Sequence, residues 1–171
     1  FHYNDFEALR DIVNENQDLG VIFMEVERNE PPKDGFLEKV RALASKRGIV
    51  LIFDECSSGF RKNFGGLHKF YGVEPDICMF GKALGNGYAI TAVIGRREVM
   101  EAGQLSFISS TFWTERVGPT AALETLNQME STRSWQTIDE TGVAIKAGWQ
   151  ALAQSHNIPI IQFGLPALAG F

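Results

Sequence analysis

Two stretches decide the fold of this chain: LIFDECSSGFR at residues 51–61 and DICMFGKALGNG at residues 76–87. An apolar run in the first stretch ends in the acidic pair Asp54 and Glu55, and an apolar run in the second is followed by Lys82 and glycines. Open α/β sheets bind their ligands at the carboxyl ends of the strands. We therefore predict that Asp54 and Lys82 lie at one edge of such a sheet. For a lysine taken alone, the alternative is a surface side chain whose stem covers apolar atoms.

The rest of the chain alternates between helical and strand patterns. Asn4 and Glu7 have the spacing of a capping box at the start of a helix. Continuous apolar runs separated by a helix predict a parallel sheet that is covered on both faces. The predicted strands cover residues 19–26, 49–53, 77–80 and 89–94; the predicted helices run from 6 to about 17, from 36 until Gly48, from 117 to 130 and from 134 to 155; a last strand covers 158–163.

The pattern changes from strands to two consecutive helices beyond Val117, and we predict a domain boundary near Ser131. The chain opens with Phe1 and closes inside an apolar run that ends at Phe171. Chain termini are usually polar and loosely held, so apolar ends predict a piece of a longer protein.

Composition is that of a globular protein, since 44% of the 171 residues are apolar and a core can be built. The formal net charge of −5, with no basic cluster, argues against a nucleic-acid partner. Two cysteines, Cys56 and Cys78, make no disulfide framework and favour a reducing cytoplasm. Neither a signal peptide nor a membrane span is predicted. The three histidines lack metal spacing, so no metal is predicted.

The predicted edge carries the groups of a pyridoxal phosphate site. A buried amine loses its proton readily and can attack an aldehyde, which is the chemistry proposed for Lys82. A carboxylate at Asp54 could keep a ring nitrogen protonated, so that the ring acts as an electron sink. Cys56 could pack on the ring and Ser57 could reach a ring oxygen. The alternatives are a helix cap or turn residue at Asp54 and a small buried apolar side chain at Cys56.

The order of these segments resembles the class III aminotransferases, which are pyridoxal phosphate enzymes of fold type I. Within that class the chain is most similar to the glutamate-1-semialdehyde aminomutase group. The resemblance rests on Ile22–Glu25, on LIFDE with Ser58–Arg61, on Tyr71–Ile77, on Phe80–Gly85 and on Ser110–Trp113.

The resemblance implies a role for each matched residue. Asp54 would pair with the pyridine nitrogen, and Lys82 would form the Schiff base and move a proton during transfer. Thr111 would bind the phosphate across a homodimer interface. Cys56 and Ser57 would contact the ring, and Glu25 would either line the substrate side or serve as a structural carboxylate.

The resemblance also implies the fold: an α/β fold type I large domain with a mixed, mostly parallel sheet and helices on both faces. Residues 1–130 would form part of this cofactor-binding domain. Residues 131–171 would form a linker helix and the start of a small α+β C-terminal domain.

The chain departs from the family pattern at Cys56, where valine is frequent, at Ser57, and at the bulky pair Phe112 and Trp113. The glycine-rich loop that cups the phosphate in the family is not in this chain. Three hypotheses follow: an aminotransferase or aminomutase acting on an amine or amino acid with a keto or aldehyde acceptor, another pyridoxal phosphate reaction such as racemisation, or a catalytically silent piece.

Overall fold

The computed structural model describes residues 1–109, 111–112 and 114–171. In chain order, the elements are α1 (Phe6–Glu15), β1 (Val21–Glu25), α2 (Phe36–Arg47), β2 (Val50–Asp54), α3 (His68–Tyr71), β3 (Ile77–Phe80), β4 (Ala92–Gly95), α4 (Arg97–Met100), α5 (Val117–Thr132) and α6 (Ser134–Ser155), with short 3₁₀ turns at Lys82–Leu84, Glu101–Leu105 and Pro166–Leu168.

The strands form one sheet in the order β1-β2-β3-β4. The first three strands are parallel to one another, while β4 runs antiparallel to β3. A parallel crossover usually needs a helix of its own, whereas an antiparallel partner can follow a short connection such as residues 81–91. The predicted mixed, mostly parallel sheet is confirmed, and its fourth strand starts at Ala92 instead of residue 89.

Side chains alternate between the two faces of the sheet. On one face Leu51 and Phe53 are fully buried, together with Phe36 of α2, and they form the centre of the core. On the other face Val21 and Phe23 are 50% and 53% exposed. Within the described residues, the helices therefore cover the first face far better than the second.

Helix α2 ends as the sequence predicts, because Gly48 adopts a left-handed conformation with φ of 67° and its N–H bonds to the last turn. The predicted cap of α1 is wrong by one residue. Asp5 is the cap, and its carboxylate accepts a hydrogen bond from Ala8 N–H. Asn4 instead has φ of 67°, and its amide ties the Pro31–Lys33 segment to the start of the chain.

The predicted strand at residues 158–163 is also wrong. In its place the chain makes an isolated antiparallel bridge between Phe163 and Gly170. Pro159 has no N–H to offer a neighbouring strand, which weakens any ladder along this segment.

Helices α5 and α6 follow one another with a single residue, Arg133, between them in a left-handed conformation. This break lies close to the predicted boundary at Ser131, and the division into two domains stays a prediction. Among the residues that the structure describes, no helix combines the length and the apolar character needed to span a lipid bilayer.

Candidate active site

The candidate site lies at the carboxyl ends of the parallel strands. Asp54 is the last residue of β2 and is paired in register with Glu25 of β1 and with Met79 of β3. Lys82 follows β3 by two residues and begins a 3₁₀ turn. The predicted neighbourhood of a carboxylate and an amine at one sheet edge is thus what the topology produces.

Lys82 has an unusual backbone for a residue with a side chain, since its φ is +43°. The left-handed region costs an L-residue about 1 kcal/mol, and such strain persists where the surroundings enforce it. The turn is held by hydrogen bonds from Gly85 N–H and Asn86 N–H to the Lys82 carbonyl, at 3.2 and 3.0 Å. The strain marks Lys82 as a residue whose direction is imposed by the fold.

The side chain of Lys82 is exposed, whereas the sequence predicted an apolar pocket around its amine. The described part of the chain therefore does not enclose the amine among apolar side chains. The amine is not free of contacts, since Lys82 Nζ donates a hydrogen bond to Ser57 Oγ.

Cys56 is held close to Asp54. Its backbone N–H donates to Asp54 Oδ1 at 3.0 Å. Burial raises the pKa of the Cys56 thiol, the hydrogen bond and negative charge of Asp54 raise it further, and the positive charge of Lys82 acts in the opposite direction. Both charges are therefore close enough to act on one sulfur atom.

Two other predicted residues, Glu25 and Thr111, have different surroundings. Glu25 is half-buried and forms a weak ion pair with Arg28, at 3.4 Å. Thr111 lies in an exposed turn, and it makes no hydrogen bond to Asp54, Ser57 or Lys82 within the described residues. The neighbours Ser110 and Trp113, on which part of the resemblance rests, lie outside the described residues.

Sequence reasoning missed the role of Glu55, which is fully buried. Its carboxylate accepts hydrogen bonds from Ser58 Oγ, from the N–H groups of Leu67 and His68, and from His68 Nδ1. The alternation of side chains along a strand was the available signal: a residue directly after Asp54 points to the opposite, buried face.

Glu55, His68 and Cys78 also bring three potential metal ligands within 4.8 Å of one another. A carboxylate offers about four lone-pair sites, and four donors already occupy those of Glu55. Burial raises the pKa of the Cys78 thiol to about 12, which disfavours the thiolate that a metal needs. We therefore assign this cluster to hydrogen bonding.

An apolar cavity of about 530 Å³ lies on the buried face of the sheet, next to Cys78, Phe80 and Leu126. Neither Asp54 nor Lys82 lines it. Because neither of the two predicted reacting groups lines this cavity, we place the chemistry at the strand ends.

The residues at the strand ends carry the chemical groups that pyridoxal phosphate requires. The exposed amine of Lys82 suits an aldehyde, and the half-buried carboxylate of Asp54 suits a ring nitrogen that carries a proton. Ser57 accepts from Lys82 and keeps its own O–H for a ring oxygen, since a hydroxyl both accepts and donates.

The family model described as aminotransferase class-III matches residues 7–162. The chain belongs to this family. A 3-aminobutyryl-CoA aminotransferase from Cloacimonas acidaminovorans is 37% identical over 97% of this chain and 42% of its own length. A glutamate-1-semialdehyde 2,1-aminomutase from Methanococcus maripaludis is 34% identical over 92% of this chain and 38% of its own length.

Solved structures agree with this placement. The FumI protein of a Sphingopyxis species, solved in its PLP internal aldimine form, superposes with a TM-score of 0.92 at 29% identity, over 97% of this chain and 42% of its own. An omega-transaminase from Sphaerobacter thermophilus gives a TM-score of 0.84 at 25% identity, over 95% of this chain and 41% of its own. The predicted fold type I architecture is confirmed, and the chain spans about two fifths of these relatives.

Proposed function

We propose that the protein to which this chain belongs binds pyridoxal phosphate between Asp54 and Lys82 and transfers amino groups between an amine or amino acid and a keto or aldehyde acceptor. The observation that carries this proposal is the placement of Asp54 at the end of β2 and of Lys82 just after the neighbouring β3, with the Lys82 amine bonded to Ser57 in the segment that follows Asp54. Membership of the family and the names of its relatives support it.

Each residue has one task in the proposed site. Asp54 would accept a hydrogen bond from the protonated ring nitrogen, Cys56 would pack on the ring and Ser57 would bind a ring oxygen. Lys82 would attach the cofactor through Nζ and, once released, would carry a proton to and from the substrate carbon. When bound, the cofactor supplies the electron sink that makes this carbon acidic.

Binding to the chain is tested by titration with pyridoxal phosphate. We expect the absorbance band of a lysine-bound cofactor in the wild type and its loss in Lys82→Ala. Lys46→Ala, which removes an exposed lysine of α2, is the matched control and should keep the band. A band of equal strength in Lys82→Ala would contradict the site.

The reaction class needs the whole protein. Transfer of an amino group to pyruvate or oxoglutarate would support an aminotransferase. Cofactor binding without such transfer would favour an aminomutase, as in the Methanococcus relative's name, or a racemase.

We further propose that the protein is a cytoplasmic homodimer in which Thr111 binds the phosphate held by the partner subunit. Mixing Lys82→Ala protein with Thr111→Ala protein tests this arrangement, because a mixed dimer then contains one site with both side chains intact. Activity should recover in the mixture above that of either variant alone. Dimers that exchange subunits without any recovery would contradict the shared site.

A further inference from the structure

The buried carboxylate of Glu55 closes the loop that carries Cys56 and Ser57. The loop leaves β2 at Asp54 and returns at Leu67, where α3 begins with His68. The Glu55 carboxylate bridges the two ends of the loop. Its Oε2 is 3.1 Å from Ser58 Oγ near the start of the loop, and its Oε1 is 3.0 Å from His68 N at the end. One side chain therefore bonds both ends of the loop.

The imidazole of His68 completes this closure. Its Nδ1 lies 2.6 Å from Glu55 Oε1, and both side chains are almost fully buried. A hydrogen bond between charged or polar groups is stronger when water is excluded, and a buried acceptor left unmatched is costly. The pair is thus expected to hold its geometry tightly.

Two glycines allow the backbone to pass close to Glu55. A Cβ at Gly66 would lie 2.3 Å from His68 Nδ1 and 2.7 Å from Glu55 Oε1. A Cβ at Gly59 would lie 2.8 Å from the Glu55 carbonyl oxygen and 2.8 Å from the Phe80 ring. The backbone of the loop therefore passes close to Glu55 at Gly59 and Gly66, and neither position has space for a side chain.

We propose that Glu55 and His68 are positioning residues of the candidate site. They fix the loop so that Ser57 Oγ meets Lys82 Nζ and the Cys56 N–H meets Asp54 Oδ1. Glu55 and His68 lie on the buried face of the sheet, opposite to Asp54. Neither side chain touches the Lys82 amine or the Asp54 carboxylate. Their importance for catalysis rests on the proposed function, whereas their effect on Lys82 is a property of the chain alone.

Glu55→Gln is the sharpest test, because it keeps the shape and removes acceptor capacity. In glutamine an NH₂ group replaces one of the two carboxylate oxygens, and this group cannot accept a hydrogen bond. At least one of the hydrogen bonds from Ser58, Leu67 or His68 is therefore lost. The loop loosens, and Ser57 no longer holds the Lys82 amine.

The readout is the rate at which acetic anhydride acetylates Lys82, measured by peptide mass spectrometry relative to Lys46 in the same molecules and without cofactor. Ser57→Ala should raise this relative rate by roughly fivefold, the equilibrium effect of one ordinary hydrogen bond. Glu55→Gln should raise it about as much, and the double variant should exceed neither, since both changes remove the same contact.

Asp76→Asn is the matched control, because it disturbs another buried carboxylate that does not contact the loop. It should leave the relative rate at Lys82 unchanged. A wild-type rate in Glu55→Gln, or a rise in Asp76→Asn equal to that in Glu55→Gln, overturns the proposal.

A second pair of variants decides the matter if Glu55→Gln does not fold. His68→Leu removes the Nδ1 donor, and His68→Asn restores an N–H near the same place. The leucine variant should accelerate Lys82 acetylation and the asparagine variant should lie near the wild type; equal rates in both overturn the proposal. If acetylation follows the prediction while the whole protein takes up no pyridoxal phosphate, the proposed function fails and the positioning role stands.

Discussion

Asp76, at the start of β3, shows how one side chain fixes the layout of the sheet. It is 5% exposed, and its Oδ2 accepts from Leu51 N–H and from Arg41, both at 2.8 Å. Its Oδ1 accepts from Arg96 at 3.0 Å. This carboxylate therefore ties together α2, β2 and the start of α4.

Burial alone would raise the pKa of Asp76, but the hydrogen bonds from Leu51, Arg41 and Arg96 outweigh it and lower the pKa below its ordinary value of 3.8. A lowered pKa in the folded state means that ionised Asp76 stabilises the fold at neutral pH. That stabilisation is complete above the unfolded-state pKa and is lost as the pH falls through the folded-state pKa.

We predict that Asp76→Asn lowers the free energy of unfolding by about 3 kcal/mol at pH 7, the scale for breaking one partner of a buried ion pair. The difference from the wild type should shrink as the pH drops below the ordinary value of 3.8. Urea unfolding over a pH series measures this, with the exposed Asp18→Asn as the control. A difference that is the same at low and neutral pH would contradict the role given to its charge.

Helix α6 contains two glycines whose surroundings differ. Gly142 faces the 3₁₀ turn Pro166–Leu168, and a Cβ there would lie 2.0 Å from the Pro166 carbonyl oxygen. Gly148, further along the same helix, has open space around it, and a Cβ there would meet no atom within 4 Å. One glycine is required by packing, and the other only weakens the helix.

Opposite effects are therefore expected from the same substitution in one helix. Gly142→Ala should destabilise the chain by about 2 kcal/mol through overpacking. Gly148→Ala should stabilise it by up to about 1 kcal/mol, the difference in helix propensity between the two residues. Thermal unfolding of both variants checks the pair, and equal shifts in Tm would show that the turn does not pack on Gly142.

At the scale of the whole molecule, the loop of the candidate site also contacts α6. Lys62 Nζ lies 3.1 Å from both carboxylate oxygens of Asp139, and the rings of Phe64 and Trp135 are 5.6 Å apart. The loop thus bonds to Lys82 through Ser57 and to α6 through these two pairs. This links the strand-end site to the segment predicted to begin the second domain.

A double-mutant cycle with Lys62→Met and Asp139→Asn should give a coupling of about 1 kcal/mol in the free energy of unfolding, since contacting partners do not behave additively. The two side chains are only 28% and 24% exposed, so solvent screens them less than a surface pair. The exposed pair Lys33–Glu30 is the control, and its coupling should be near zero. If the effects of the two substitutions are additive, the Lys62–Asp139 pair does not couple the loop to α6.

The elements were largely predictable because their signals are local. Apolar runs of four to five residues predicted β2 and β3, and Gly48 predicted the end of α2. The wrong predictions concern segments whose structure depends on residues that are distant in sequence but close in space. Asp5 and not Asn4 caps α1, since Asn4 bonds to a distant loop. Residues 158–163 form no strand, since within the described part of the chain only Phe163 finds a bridge partner, Gly170.

The sequence by itself determined that the apolar runs form β2 and β3, and hence that an aspartate lies at the end of β2 and a lysine lies shortly after β3. This follows from periodicity and chain order, which need no distant partner. Only the tertiary structure decided that Ser57 holds Lys82, that Glu55 and His68 close the loop around them, and that the loop reaches α6. Those contacts join residues that are far apart in the chain, and their geometry depends on how the sheet pairs, which no local pattern contains.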